Sequence, residues 1–179
     1  MYINDVHILY YVLAGVIGLI VGWFINWCNK RLPEYKKVFS KDIFDKTKRG
    51  KPNYILMIVT ALLYIAIVYF CGIHNEFYEN LNLIKFALLI PMLLSALVID
   101  YKLQIIPNRL NLTMFEVGLL LTFIYGIANI NIATNMLLGM ITGAGLFLVI
   151  TLLGGVIAGK EAMGFGDVKL MGALGLYFG

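Results

Sequence analysis

Two aspartates carry the chemistry that this sequence offers. Asp100 stands in "LVIDYKLQIIPNRL" and Asp167 in "AGKEAMGFGDVKLMGALG", each at the border between an apolar run and a polar turn. An ionisable group at the edge of an apolar segment is costly and calls for a reason. Taken singly, each could be the wetted end of a helix, paired with the nearby Lys102 or Lys169. Taken together they form a candidate carboxylate pair. Two carboxyls in close approach cannot both ionise, so one proton is shared between them. The ionised member can then take a proton from water while the protonated member hydrogen-bonds a substrate carbonyl, which is how two aspartates hydrolyse a peptide.

Rival hydrolytic chemistries fail on residues. Ser40 and Ser95 lie outside any G-x-S-x-G, and His74 opens "HNEFY" rather than H-E-x-x-H. Cys28 and Cys71 both fall inside apolar runs and make neither a zinc site nor a disulfide framework. No metal, cofactor or nucleic-acid partner is expected. Gly164, Gly166, Gly172 and Gly175 surround Asp167 and would let backbone approach closely. Pro107 and Asn108, in "IIPN", offer a fixed turn after Asp100. Gly164, Gly166, Lys102, Pro107, Asn108 and Lys169 are therefore the candidate site-shaping residues, the two lysines serving equally well as topology signals.

The elements that must position these groups follow from hydropathy. The chain of 179 residues is 61% hydrophobic and 13% charged, with a mean hydropathy of +0.87. A soluble domain of that length cannot hide so much apolar side chain, so the surplus must face lipid. Runs of about 20 apolar residues can cross a bilayer. They fall at 8–28, 54–73, 81–99, 112–127 and 133–158, with a sixth starting near Val168. The expected class is all-α, a polytopic membrane helical bundle of about six spans in one domain over residues 1–179, with a loop at about 29–53. Gly179 falls inside the sixth span, so either the chain is expected to continue with further C-terminal spans or a partner completes the fold. The first run lacks a basic n-region and a small-residue cleavage site, and reads as a retained span.

Charge separates cleanly between alternate links. The 29–53 link carries Lys30, Arg31, Lys36, Lys37, Lys41, Lys46, Lys48, Arg49 and Lys51; the link after the third span carries Lys102 and Arg109; the link after the fifth carries Lys160 and Lys169. The intervening links hold Asp5, then Glu76 and Glu79 against Lys85, then the uncharged "NINI". The positive-inside rule places the basic links in the cytoplasm and the N-terminus outside. Asp100 and Asp167 then share the cytoplasmic edge, and the basic loop meets anionic lipid. Glu116 and Lys85 read as snorkelling side chains, Asn26 and Asn108 as hydrogen bonds within the bundle, and Gly139, Gly143 and Gly145 as a small-residue packing face.

"GFGD", residues 164–167, matches the Gly-x-Gly-Asp signature of intramembrane aspartic proteases. "IDYKLQIIPNRLNL" resembles the first-aspartate motif of the type IV prepilin peptidases. "GWFINWCNKRLP" resembles their first-span signature, supplying Gly22, Phe24, Asn26, Arg31, Leu32 and Pro33 in register, with Gly18 upstream. The resemblance implies a membrane aspartic endopeptidase with Asp100 and Asp167 as its catalytic pair. It would cut the basic leader from type IV prepilin or pseudopilin subunits at the cytoplasmic face of the cell membrane, serving type IV pilus assembly and protein secretion. Trp23 stands where that signature has serine, and the 29–53 loop has no Cys-x-x-Cys. The short loop argues against the N-methylation, using S-adenosylmethionine, that larger bacterial members add. The rival from another class is an ion- or proton-coupled transporter using the paired aspartates; it leaves "GWFINWCNKRLP" without a role.

Overall fold

The computed structural model describes residues 2–4, 6–36, 38, 52–74, 78–158 and 164–179. Of the charged residues assigned above to links, Asp5, Lys37, Lys41, Lys46, Lys48, Arg49, Lys51, Glu76 and Lys160 lie outside the described residues, as does Ser40. The chain divides into two compact units, Met1–Leu103 and Gln104–Gly179.

The first unit holds a two-residue pairing of β1 (Tyr2–Ile3) with β2 (Val6–His7) and three helices: α1 (Ile8–Arg31), α2 (Tyr54–Cys71) and α3 (Leu81–Leu103). Each start has a local cause. His7 Nδ1 accepts from the Leu9 N–H at 3.3 Å at the head of α1, and Asn53 Oδ1 accepts from the Leu56 N–H at 3.3 Å at the head of α2. Lys30 and Arg31 in the last turn of α1 complement its dipole. Just past α1, Lys36 reaches Glu34 at 2.6 Å, and that hydrogen bond, reinforced by the lysine charge, holds the Glu34 carboxyl below its ordinary range. Gly72, with φ 69°, ends α2 in a backbone conformation that glycine adopts without strain.

α1 and α2 meet at small residues. A Cβ on Gly22 would come within 2.6 Å of the Met57 Cα, so only glycine permits the approach. α3 carries Pro91 in its interior. Proline has no N–H, and the carbonyl four residues earlier, that of Ala87, loses its helical partner. The buried Tyr64 of α2 supplies the missing donor: its hydroxyl donates to Ala87 O at 2.6 Å. In lipid a freed backbone carbonyl must be satisfied from inside the protein, and this contact does so.

The second unit is built from α4 (Asn108–Ala128), α5 (Ile130–Ala158) and α6 (Phe165–Phe178). Asn129 alone separates α4 from α5 and serves both: its N–H donates to Tyr125 O at 2.8 Å and its Oδ1 accepts from the Asn131 N–H at 3.0 Å. α5 crosses α6 at glycines. A Cβ on Gly175 would run into the Gly139 carbonyl, and one on Gly143 would lie 2.7 Å from Met171 O. Gly145 departs from the packing face expected of it, for a Cβ there meets nothing within 4 Å. Two residues along a helix turn the side-chain direction to the far side. α6 is held to α4 by the fully buried Tyr177, whose hydroxyl donates to Met114 O at 2.9 Å.

Among the described residues five helices, α1 to α5, are long and apolar enough to cross a membrane. Large apolar side chains such as Phe70, Phe123 and Val156 stand exposed along them, as lipid-facing residues must. The protein is thus an all-α, multi-pass membrane protein. Two starts differ from the hydropathy reading in a way that bears on the site. α4 begins at Asn108, not 112, because Pro107 with φ −61° caps it and its carbonyl already accepts from the Leu110 N–H at 2.9 Å. α6 begins at Phe165, ahead of Val168, so Asp167 lies inside a helix. Hydropathy alone discounts polar first turns that helix geometry accepts.

Candidate active site

Asp100 lies near the end of α3, exposed, with the exposed Lys102 beyond it. Gln104 then takes φ 53°, the left-handed conformation that ends helices, and the chain turns through Ile105 and Ile106 to the buried Pro107. Within the first unit α3 is tied to α1 by the buried Ser95, whose hydroxyl donates to Asn29 Oδ1. The Asn29 Nδ2 is buried without a partner among the described residues.

Asp167 belongs to the second unit, half-buried in the first turn of α6. Gly164 caps the helix through its backbone alone: its carbonyl accepts from the Asp167 N–H at 3.0 Å. A helix N-terminus presents the positive end of the backbone dipoles, a favourable position for an acidic side chain. Two asparagines of α4 anchor this turn. Asn111 Nδ2 donates to Gly166 O at 3.0 Å, and Lys169 Nζ donates to Asn108 Oδ1 at 3.1 Å. Asn108 and Asn111 are three residues apart on a helix and so share a face.

Asn111 is only 3% exposed, and its Oδ1 has no partner among the described residues. The NH2 end of the amide serves the Gly166 carbonyl, and the oxygen, a separate acceptor, is left unmatched among the described residues. An orphaned buried acceptor costs about 1–3 kcal/mol. Beside this turn a groove of about 650 Å³ opens among α4, α5 and α6, lined mainly by apolar residues such as Leu112, Phe115, Ile141 and Val168, with Asn111 and Lys169 among its polar members.

The second unit therefore gathers Asp167, Gly166, Asn108 and Lys169 from the expected set, with Pro107 capping the helix that carries the asparagine. Asp100 and Lys102 stand in the first unit. Among the described residues Gly164 and Gly166 have no close packing to serve: a Cβ on Gly166 would sit 3.6 Å from the Ile106 Cβ, an ordinary contact. The close approach expected around Asp167 is made by Gly172 and Gly175 against α5 instead. Asn111 and Asn29 are absent from the sequence reading. The available signal for Asn111 was its spacing from Asn108 in "NRLNL", a second amide on the same face of an apolar helix.

Fold and site together define a polytopic helical membrane protein that carries, in each of its two units, an aspartate in the end turn of a helix. Residues 87–179, a stretch that includes both aspartates, match the type IV leader peptidase family, and the chain belongs to that family. It is similar to the prepilin leader peptidase/N-methyltransferase of Escherichia coli (strain K12), 30% identical over 86 residues, which are 48% of this chain and 37% of that protein. It is also similar to the prepilin leader peptidase/N-methyltransferase of Pectobacterium carotovorum subsp. carotovorum, 34% identical over 95 residues, 51% of this chain and 32% of that protein. The match thus spans about a third of the length of these relatives. No solved structure matches it.

Proposed function

We propose that this chain is the aspartic endopeptidase portion of a leader peptidase, cutting the basic leader from type IV prepilin or pseudopilin subunits, with Asp100 and Asp167 as the acid–base pair. The observation that carries the reading is the fixed first turn of α6: it holds Asp167 between a backbone cap and a clamp from α4 inside the family-matched stretch. An acid–base group has to be held within a few tenths of an ångström of its productive position.

In the proposed reaction the ionised aspartate takes a proton from water, and the water oxygen bonds to the scissile carbonyl carbon. The protonated aspartate first hydrogen-bonds the carbonyl oxygen. As the C–N bond breaks, a proton passes to the departing amine, so the pair ends with one shared proton as it began. Catalysis of this kind needs the two aspartates within reach of one water. The groove beside α6 suits a substrate whose leader precedes an apolar segment. The basic links favour a cytoplasmic site in the cell membrane. The proposal covers hydrolysis alone and not methyl transfer.

The test is leader removal from a prepilin-like substrate co-expressed with the full-length protein, followed as a gel shift. Wild type should convert the precursor. Asp100→Asn and Asp167→Asn should each leave it uncut while accumulating in the membrane to the wild-type level. Conversion by both variants would sink the reading and turn attention to ion flux.

A further inference from the structure

We infer that Asn111 is a positioning residue for the hydrolytic step, holding the peptide plane that precedes Asp167. The inference rests on the assignment of Asp167 to the catalytic pair. The carbonyl of Gly166 and the N–H of Asp167 belong to one planar peptide unit. That unit is pinned at both ends: Asn111 Nδ2 donates to its oxygen at 3.0 Å, and its N–H donates to Gly164 O at 3.0 Å. With the plane fixed, the direction in which the Asp167 side chain leaves the backbone depends on few remaining torsions. The pin matters here because Gly164 and Gly166 carry no side chain that could pack the turn in place.

A second observation separates this role from plain packing. Asn111 is 3% exposed and leaves Oδ1 without a partner among the described residues, beside Leu112 and Phe115 in a mainly apolar groove lining. Leucine has nearly the same size and would leave no orphaned acceptor. A buried amide with an unmatched oxygen calls for an explanation, and holding the aspartate turn supplies one. The sequence motif points to Asn108, whereas of the two asparagines only Asn111 is both buried and bonded to the backbone of the aspartate turn.

The experiment uses the full-length protein in detergent or membranes, with steady-state leader cleavage and thermal unfolding measured together. Asn111→Leu should lower kcat about 10- to 100-fold with KM changed less than about twofold, and the unfolding temperature should not fall. Asn111→Asp supplies the readout that a structural role would not move. Its side chain can donate to the Gly166 carbonyl only when protonated, so its cleavage rate relative to wild type should climb as pH falls, while the Asn111→Leu ratio stays flat. A wild-type kcat in Asn111→Leu overturns the inference. So does an Asn111→Asp ratio independent of pH, and that arm decides the matter if the leucine variant does not accumulate. Asp167→Asn runs alongside: if it still cleaves, the catalytic assignment itself has failed, whereas an inactive Asp167→Asn beside a fully active Asn111→Leu sinks the positioning role alone.

Discussion

Tyr64 shows how one hydroxyl can answer a defect written elsewhere in the chain. Pro91 deprives the Ala87 carbonyl of its helical donor, and the Tyr64 hydroxyl reaches it at 2.6 Å from another helix. Tyr64→Phe should therefore destabilise the protein by about 1–3 kcal/mol, read as a drop in thermal unfolding temperature in detergent. The cause can be isolated with Pro91→Ala, which restores the N–H. In that background Tyr64→Phe should cost clearly less, and an unchanged cost in the double-mutant cycle would show that Tyr64 stabilises by packing alone. At the same scale, Asn111 and Asn29 each leave one amide atom unmatched among the described residues. Neither can be recognised from residue type, because an asparagine in an apolar helix reads the same whether its amide is fully paired or half orphaned.

Helices in lipid gain nothing from hiding oil in oil, so they associate through close backbone contact. α5 and α6 do this where Gly139 faces Gly175 and Gly143 faces the Met171 carbonyl. Gly175→Ala should push the two helices apart and destabilise the second unit by about 1–3 kcal/mol. Gly145→Ala, where a Cβ meets nothing within 4 Å, should leave thermal unfolding unchanged or slightly higher. Equal losses in both variants would mean that the crossing does not depend on glycine. Gly139, Gly143 and Gly145 of α5 lie in "GMITGAG", and small-residue spacing suggested one face. The helical turn of about 100° per residue puts Gly145 on the other side. The groove beside α6 depends on the same crossing, since Ile141 and Ala144 of α5 form part of its wall.

For the molecule as a whole, the proposed reaction requires Asp100 of the first unit and Asp167 of the second to work on one water. Their replacement by a pair of thiols tests this directly. In a Cys28→Ser, Cys71→Ser background, Asp100→Cys with Asp167→Cys should form an intramolecular disulfide on mild oxidation, seen as a mobility shift reversed by reductant. A disulfide needs the two Cα atoms within about 7 Å, so a pair that never cross-links under conditions where control pairs within one unit do would count against a shared water.

Much of the architecture was legible in one dimension. Hydropathy adds along the chain, so each apolar run announces its own helix, and the five long helices coincide with the five complete runs to within a few residues at each end. The border positions of Asp100 and Asp167 followed from the same pattern, while the resemblance to the leader peptidases rested on the residue identities of three motifs. Contacts between distant segments were not legible, because they depend on rotation about each helix axis and on which backbone atoms are left unpaired. Tyr64 on the Ala87 carbonyl, Gly139 rather than Gly145 on the crossing, and Asn111 on the carbonyl before Asp167 were decided only when the helices packed. Sequence by itself determined which segments enter the membrane and which acids stand at their ends. Tertiary structure decided what grips the Asp167 turn, since a hydrogen bond across helices exists only once both partners share a place.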